Sequence, residues 1–246
     1  MWFGLHSMNI LKCVDLHMIK KIQSIYQTSI EKTEVMSGLA PLLLRLIIAP
    51  VMIIAGYNKL NLSKEGVGFF ESLLADENVV AWFGNADWGL GLPFPDLLAF
   101  LAGWTEFLGG WLILLGLLTR LVSVPLMVTM FVAATQVHWH NGWFSVAPAN
   151  PDTSAAQVFA WMGSDTAQKS LENSLEVAER LERIKSIVSK HGFPEYLYEK
   201  GNIVILNNGI EFAAIYFAML LSLFFTGGGR FFSLDYWFAR KASNDN

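Results

Sequence analysis

Four apolar runs alternate with polar segments along the chain, and each run is long enough to be a candidate membrane span. They cover residues 39–56, 97–118, 121–137 and 203–225. At a rise of about 1.5 Å per residue, such runs approach the roughly 30 Å of hydrocarbon in a bilayer. Only Thr119 and Arg120 separate the second run from the third, so these two are expected to form an antiparallel hairpin. The pattern predicts an all-α fold, a four-helix transmembrane bundle with a helical extracytoplasmic loop.

The runs also predict how the chain is divided. Residues 1–38 are expected to be a cytoplasmic N-terminal tail, 39–226 a four-span membrane domain with an extracytoplasmic helical insertion at 141–202, and 227–246 a cytoplasmic C-terminal tail. Basic residues near span ends favour the cytoplasmic side. The two tails and the hairpin turn carry such residues: Lys12, Lys20, Lys21, Lys32, Arg120, Arg230, Arg240 and Lys241.

The insertion contains a second kind of pattern. Between residues 164 and 190, apolar positions recur at helical spacing, with charged residues between them. The helix they predict has two interpretations that the sequence leaves open, packing across the outer mouth of the bundle or docking a partner protein. The apolar positions are Leu171, Leu175, Ala178, Leu181, Ile184 and Val188.

Composition agrees with a membrane protein. Of the 246 residues, 53% are hydrophobic and 15% are charged, against about 25% charged in an ordinary soluble domain. The net charge of −4 gives no indication of nucleic-acid binding. The single cysteine, Cys13, excludes an intrachain disulfide and a cluster held by four cysteines of the chain. Met18 begins a basic leader, and the sequence leaves open whether residues 1–17 are translated.

Three of the apolar runs contain one ionisable residue each: Arg45, Glu106 and Glu211. A charge in hydrocarbon costs about 2.5–3.5 kcal/mol on insertion scales, so it is retained where it is paired or used. From the rise per residue, the two glutamates lie about 12–14 Å below the outer surface, and Arg45 can reach toward them. We expect these three residues to form a buried polar centre and treat them as catalytic candidates. The alternative is a purely structural polar contact between helices.

Further residues surround this expected centre. Gly109 and Gly110 follow Glu106 within one turn and would let a neighbouring helix or a flat ligand approach the backbone. Lys59 and His138 are expected to line an outer entrance, so these four are candidates for cofactor binding. His138 and His140 are two positions apart and do not share a helix face, so no metal site is predicted, although extended geometry at that point leaves metal binding open.

Several motifs have the order and spacing of a known family. The chain reads Leu44-Arg45-Leu46 in the first run and Gly56-Tyr57-Asn58-Lys59 from its last residue onward. Glu106-Phe107-Leu108-Gly109-Gly110 lies in the second run, and Gly116-Leu117-Leu118-Thr119-Arg120 spans its end. Asn208-Gly209-Ile210-Glu211, Gly227-Gly228-Gly229-Arg230 and Ser233-Leu234-Asp235 follow. Over residues 39–237 the chain resembles the DoxX family of four-helix membrane proteins. The long loop and the C-terminal ending are similar to the HvfX-type branch, which is associated with maturation of copper-binding modified peptides.

The resemblance implies a multi-pass protein of the bacterial cytoplasmic (plasma) membrane, with quinone-coupled redox systems among its relatives. The leading hypothesis is a redox accessory subunit that binds quinone or quinol near Glu106 and Glu211 and supports a partner protein. Whether it is itself an oxidoreductase subunit, and which cofactor it holds, stay open. The alternative is a non-catalytic membrane scaffold for maturation or export factors. A small-solute or metal transporter is a third reading, and glycine-rich faces leave a homo-oligomer open.

Overall fold

Every regular element in the part of the chain that the structure describes is helical. The computed structural model describes the backbone of residues 4–244 and the side chains of residues 18–31, 33–62 and 64–244. The side chain of Cys13 therefore lies outside the described residues. In chain order the helices are α1 (Gly4–Glu34), α2 (Leu39–Lys59), α3 (Phe69–Ser72), α4 (Glu77–Gly84), α5 (Pro95–Leu115), α6 (Thr119–Val132), α7 (Ala156–Trp161), α8 (Asp165–His191), α9 (Pro194–Tyr198), α10 (Glu211–Thr226) and α11 (Leu234–Asn244).

Three helical segments of the described chain are long and apolar enough to cross a bilayer: α2, α5 and the segment Thr119–Asn141. This last segment begins with α6 and continues through a π turn, Ala133–His138, and a 3₁₀ turn, Trp139–Asn141. Helix α10 is apolar but has only 16 residues, or about 24 Å of helix. The three long helices support a membrane protein, while the fourth span stays a prediction.

Helix α10 begins eight residues later than the apolar run that predicted it. The segment 203–210 is not helical, because it pairs with the chain after α6. The backbone N–H of Ala147 donates to the Ile205 carbonyl at 3.0 Å, and the N–H groups of Asn207 and Asn208 donate to the Ser145 carbonyl at 2.9 and 2.8 Å. Asn208 has a φ of 57°, a conformation that asparagine tolerates in turns. The expected helix start at residue 203 is therefore wrong.

The apolar core lies where α2, α5, α6 and α10 pack against one another. Glycines let α2 and α5 approach closely. A Cβ on Gly56 of α2 would overlap the backbone of Phe107 and the carbonyl of Gly103, both in α5. Small residues are what allows such backbone contact between membrane helices. The largest fully buried apolar side chains of the core are Ile48, Met52, Ile113, Leu126, Leu220 and Leu223.

A three-residue turn joins α5 to α6, as the predicted hairpin requires, but it lies earlier than expected. Gly116 and Leu118 have φ values of 63° and 51°, and Thr119 already belongs to α6. The carboxylate of Asp235 accepts hydrogen bonds from the N–H groups of Leu118 and Thr119 at 2.7 and 2.9 Å. A side chain 116 residues away in sequence thus caps α6.

The two ends of the packed helices differ, and we name them by their contents. The turn end carries the turn 116–118 and the segment 227–235, and the loop end carries residues 60–94 and 142–210. The helix predicted between 164 and 190 is present at the loop end as α8. Its buried residues Val177 and Leu181 pack with Ala147, Ile203 and Ile205, so α8 is held by the loop itself.

Candidate functional site

The ammonium of Lys59 and the carboxylate of Glu106 form an ion pair between α2 and α5. Lys59 is the last residue of α2, and Glu106 lies midway along α5. The two side chains are unequally accessible: the Glu106 side chain is 5% exposed and the Lys59 side chain is 25% exposed. The Lys59 ammonium also lies 3.5 Å from the Ala55 carbonyl. The pair therefore presents a cationic donor outward and keeps its carboxylate inside.

Glycine spacing on both helices explains how the pair forms. Gly56 precedes Lys59 by three residues, and Gly103 precedes Glu106 by three. Residues three apart share a helix face. Gly56 packs against Gly103 and Phe107, so the two charged side chains are brought together beside the closest approach of the backbones. Sequence reasoning noted the Gly-x-x-Lys motif but missed that α5 carries a matching Gly-x-x-Glu.

A row of four half-buried aromatic rings runs from α5 to α2 through Phe107, which follows Glu106 in sequence, and we call it the aromatic row: Phe100, Trp104, Phe107 and Tyr57. The ring centroids are 6.4 Å apart for Phe100 and Trp104, 6.0 Å for Trp104 and Phe107, and 6.2 Å for Phe107 and Tyr57. The Trp104 indole N–H donates to the Leu73 carbonyl at 2.9 Å, which fixes the centre of the row. Such a row offers flat apolar surface on which a ring ligand can stack.

Arg45 does not join this pair. Its guanidinium is fully buried and donates to the carbonyls of Leu114 at 3.0 Å, Phe232 at 3.1 Å and Phe231 at 2.7 Å. Leu114 lies eight residues beyond Glu106, about 12 Å further along α5. Arg45 therefore ties α2 to α5 and to the C-terminal segment at the turn end. The expected single polar centre is not formed.

Glu211 lies apart from Glu106 as well. It is the first residue of α10, and its carboxylate accepts a hydrogen bond from the Ser145 backbone N–H at 2.9 Å. Its own N–H donates to the Trp143 carbonyl at 2.9 Å. The expected depth of about 12 Å depended on a helix that starts at residue 203. Because α10 starts at Glu211, this side chain holds the loop end together instead.

Gly109 and Gly110 have helices, not open space, beside them. A Cβ on Gly109 would lie 3.2 Å from the Val122 side chain of α6, and a Cβ on Gly110 would lie 2.8 Å from the Ile53 side chain of α2. Of the two alternatives raised from the sequence, a neighbouring helix or a flat ligand, the helix is the one present. The aromatic row is the surface that a flat ligand could use instead.

His138 and Lys59, expected together at an outer entrance, have different partners. His138 Nδ1 lies 2.8 Å from the Asn208 carbonyl, which also accepts a hydrogen bond from the Asn141 side chain at 3.0 Å. A carbonyl only accepts, so Nδ1 carries the proton. His138 thus steadies the turn before α10. In the described residues, no group of three or more His, Cys, Asp or Glu side chains is arranged to hold a metal ion.

Asp76 fixes the end of α2 near the pair. Its backbone N–H donates to the Lys59 carbonyl at 2.9 Å, and its carboxylate caps α4 and pairs with Lys64 at 3.0 Å. Burial by itself raises the pKa of this carboxyl. The hydrogen bonds from Lys64, Asn78 and Val79 and the Lys64 charge outweigh burial and hold the pKa below its usual value.

Comparison with known proteins adds a family for part of the chain. The DoxX family model matches residues 40–139, about two fifths of the 246 residues. The matched segment includes Arg45, the Lys59–Glu106 pair, the aromatic row and His138, and it ends before the long loop. The match supports the DoxX family and a membrane location. No curated protein and no solved structure matches the chain.

Proposed function

We propose that this DoxX-similar membrane protein is a quinone-linked redox accessory subunit that supports a partner enzyme. In this proposal the quinone head group binds at the Lys59–Glu106 pair. The proposal also includes how the chain is placed in the membrane. The four apolar helices are its spans, it lies in the bacterial plasma membrane with both termini in the cytoplasm, and the loop end faces outward. A role in copper-peptide maturation is included because of the HvfX-type motifs.

One observation carries the proposal, the unequal exposure of the two members of the ion pair. The Glu106 side chain, 5% exposed, stays in a low-dielectric setting, while the Lys59 side chain, 25% exposed, leaves room for a ligand to approach. Lys59 has three N–H donors. One is taken by Glu106, and the contact to the Ala55 carbonyl at 3.5 Å is weak. At least one donor is therefore free for a carbonyl oxygen.

The chain's own groups have separable roles in this account. Lys59 donates a hydrogen bond to a ring oxygen, and Glu106 accepts and holds the proton that leaves a hydroxyl. The aromatic row stacks on the ring and excludes water. A bound quinone supplies two-electron, two-proton chemistry, which none of these side chains can supply alone. The donor, the acceptor and the flat surface together fit a quinone head group.

Quinone content tests the proposal. We would purify the protein in mild detergent and measure extracted quinone by mass spectrometry for the wild type, Glu106→Gln and Lys59→Met. Near-stoichiometric quinone that falls severalfold in both variants is expected. Glu65→Gln is the matched control, because Glu65 is exposed in the neighbouring loop. Quinone at the detergent-lipid background in the wild type would overturn the proposal.

A second candidate, the non-catalytic scaffold, has its own observation. Helix α8 leaves Leu175 59% and Ile187 61% exposed, although its opposite face is buried. Exposed apolar residues on a charged helix can serve as anchors for a protein partner. If the protein is a scaffold, Leu175→Glu combined with Ile187→Glu should abolish maturation of the copper-binding modified peptide in cells, while Glu106→Gln should leave this maturation unchanged. A redox accessory subunit predicts instead that Glu106→Gln impairs maturation and that the two substitutions on α8 leave it unchanged.

A further inference from the structure

Helix α1 presents an apolar face that the rest of the described chain leaves exposed. Positions three, four and seven apart share one side of a helix, and along residues 18–30 of α1 such positions are apolar. The charged residues of this stretch lie on the other side or at the edges of the face. The first five of its members are 51–64% exposed. The apolar face of α1 consists of Met18, Ile19, Ile22, Ile25, Tyr26 and Ile30.

Two small polar residues, Ser29 and Thr33, interrupt this face, but both hydroxyl protons are already bonded. The Ser29 hydroxyl donates to the Ile25 carbonyl at 2.8 Å, and the Thr33 hydroxyl donates to the Ile30 carbonyl at 2.8 Å. A hydroxyl that is hydrogen-bonded within its own helix costs little to bring into an apolar medium. The face is therefore compatible with lipid. It suits a coiled-coil partner less well, because both residues fall at the 3.5-residue spacing that such a seam needs to be apolar.

The connection between α1 and α2 determines where α1 ends. The five peptide links from Glu34 to Leu39 separate the two helices and span at most about 18 Å. Gly38 packs against the segment 227–235 at the turn end, since a Cβ there would lie 2.7 Å from the Arg230 side chain and 2.8 Å from the Phe231 side chain. Helix α2 is long and apolar enough to cross a bilayer. With α2 as a span, the end of α1 lies at the membrane surface.

The charge of the segments at the turn end is opposite in sign to that of the whole chain. Residues 18–38, 116–120 and 227–246 contain seven Lys or Arg and four Asp or Glu, a net charge of +3, although the chain as a whole has −4. Lys20 and Lys21 on α1 are exposed, and neither forms an ion pair with another described residue. Lysines beside the apolar face of a juxtamembrane helix attract anionic lipid head groups.

Helix α11 is a second observation that points to a membrane surface at the turn end. Asp235, in its first turn, accepts hydrogen bonds from the N–H groups of Leu118 and Thr119 at 2.7 and 2.9 Å, so α11 is held against this end. Trp237 and Phe238 nevertheless stay 61% and 62% exposed. Exposed tryptophan beside apolar residues is typical of the head-group level of a bilayer.

We propose that α1 lies flat in the bilayer surface at the turn end and binds anionic phospholipid head groups. Its apolar face enters the boundary between the head groups and the acyl chains, while Lys20 and Lys21 on the polar side contact the phosphates. Trp237 of α11 lies at the same level. The proposal rests on the membrane placement proposed above, but it needs no quinone.

Spin labels measure the depth of α1 directly. In a Cys13→Ser background, labels would be attached to Ile22→Cys or Ile25→Cys on the apolar face and to Ser24→Cys or Gln27→Cys on the polar side. All four positions are exposed, so a label leaves the core packing unchanged. The protein would be reconstituted in nanodiscs of phosphatidylglycerol and phosphatidylcholine. The readout is power saturation with oxygen and with a water-soluble nickel chelate.

The proposal predicts that the accessibility of the labels to nickel follows the helix period. We expect the labels at 22 and 25 to be about fivefold less accessible to nickel than those at 24 and 27, because only the first two lie in lipid. Equal accessibility at all four positions would overturn the proposal. Spin–spin broadening at 22 and 25 would also overturn it, since the face would then contact a second copy of the chain.

Lipid retention tests the role of the lysines. Phosphatidylglycerol retained per protein would be counted by native mass spectrometry for the wild type and for Lys20→Gln/Lys21→Gln. We expect the count to fall about twofold or more, since each lysine near the surface attracts anionic lipid. Lys185→Gln/Lys190→Gln on α8 is the matched control, because it removes the same charge from exposed lysines at the loop end.

Equal phosphatidylglycerol retention in the two double variants would overturn head-group binding by α1. Neither experiment measures quinone. A failure of this proposal is therefore distinguishable from a failure of the redox proposal.

Discussion

The Lys59 ammonium and the Glu106 carboxylate meet across the interface of α2 and α5, where Gly56 packs against the α5 backbone. This contact joins the end of one apolar helix to the middle of another. Breaking a buried ion pair from one side leaves an uncompensated charge, which is destabilising by several kcal/mol, whereas replacing both members is often neutral. The pair is thus both a structural contact and the proposed site, and these two roles can be separated.

The stability role is tested by a double-mutant cycle. Lys59→Met should lower the free energy of unfolding by about 2–4 kcal/mol, less than for a fully buried pair because Lys59 is partly exposed. Glu106→Leu alone should also destabilise, and Lys59→Met/Glu106→Leu should recover most of the loss. Thermal denaturation in detergent gives the comparison. Arg183→Gln, which breaks an exposed pair on α8, should change stability by less than about 1 kcal/mol.

The glycine contact gives a second prediction. In Gly56→Ala, the new Cβ meets the Phe107 backbone, which cannot move as a flexible side chain would. The helices should separate and weaken the Lys59–Glu106 pair, with a loss of about 1–3 kcal/mol from overpacking and reduced quinone retention. Gly68→Ala is the control, since no atom lies within 4 Å of its Cβ position. Equal quinone retention in both variants would show that the close approach does not support the site.

Arg45 is predicted to affect stability and not ligand binding. Its three hydrogen bonds to carbonyls at the turn end are charge-assisted, and each such bond contributes about 1.5–3 kcal/mol. Arg45→Lys cannot reproduce the planar fork and should lower the denaturation temperature strongly. Quinone per folded molecule should stay at the wild-type level. Arg240→Gln, on exposed α11, serves as the control. If the folded Arg45→Lys variant lost quinone, Arg45 would contribute to quinone binding, contrary to this prediction.

Asp76 makes the loop end sensitive to acid. Its folded pKa is held below the usual value, because Lys64 and two backbone N–H groups outweigh burial. A carboxyl of this kind stabilises the folded protein above its unfolded pKa of about 3.9, and the contribution is lost as the pH falls through the lower folded value. Asp76→Asn should therefore lower stability by less than about 1 kcal/mol near pH 6. Denaturation scans should show the two proteins converging as the pH drops below about 4.

The sequence was informative about which segments are helical and less so about how far each extends. The apolar run at 39–56 and the spacing at 164–190 correspond to α2 and α8. The run at 203–225 did not distinguish an extended pairing from a helix, because Ile203 and Ile205 are apolar residues that either conformation can pack. The Asn207-Asn208-Gly209 turn was the signal against a continuous helix.

The partners of the buried charges were harder to predict. Glu106 is a candidate because it lies inside an apolar run, but Lys59 lies three residues beyond the end of its run and is expected at an outer entrance. Its pairing depends on the relative heights of α2 and α5, which the Gly56 contact determines. Arg45 binds backbone carbonyls almost 190 residues away, and carbonyls are present at every position. A contact of that kind has no sequence signature.

The most direct test of the central claim is to locate a bound quinone. Protein in nanodiscs would be illuminated with a photoreactive azidoquinone, digested and mapped by mass spectrometry. A quinone bound at the Lys59–Glu106 pair should give adducts on peptides that contain Tyr57 or Trp104 and Phe107. These adducts should be lost when excess unlabelled quinone is present and reduced in Glu106→Gln. Adducts elsewhere, for example in the cavity lined by Trp143, Phe144 and Phe159, or adducts that excess quinone does not displace, would contradict a quinone site at the Lys59–Glu106 pair.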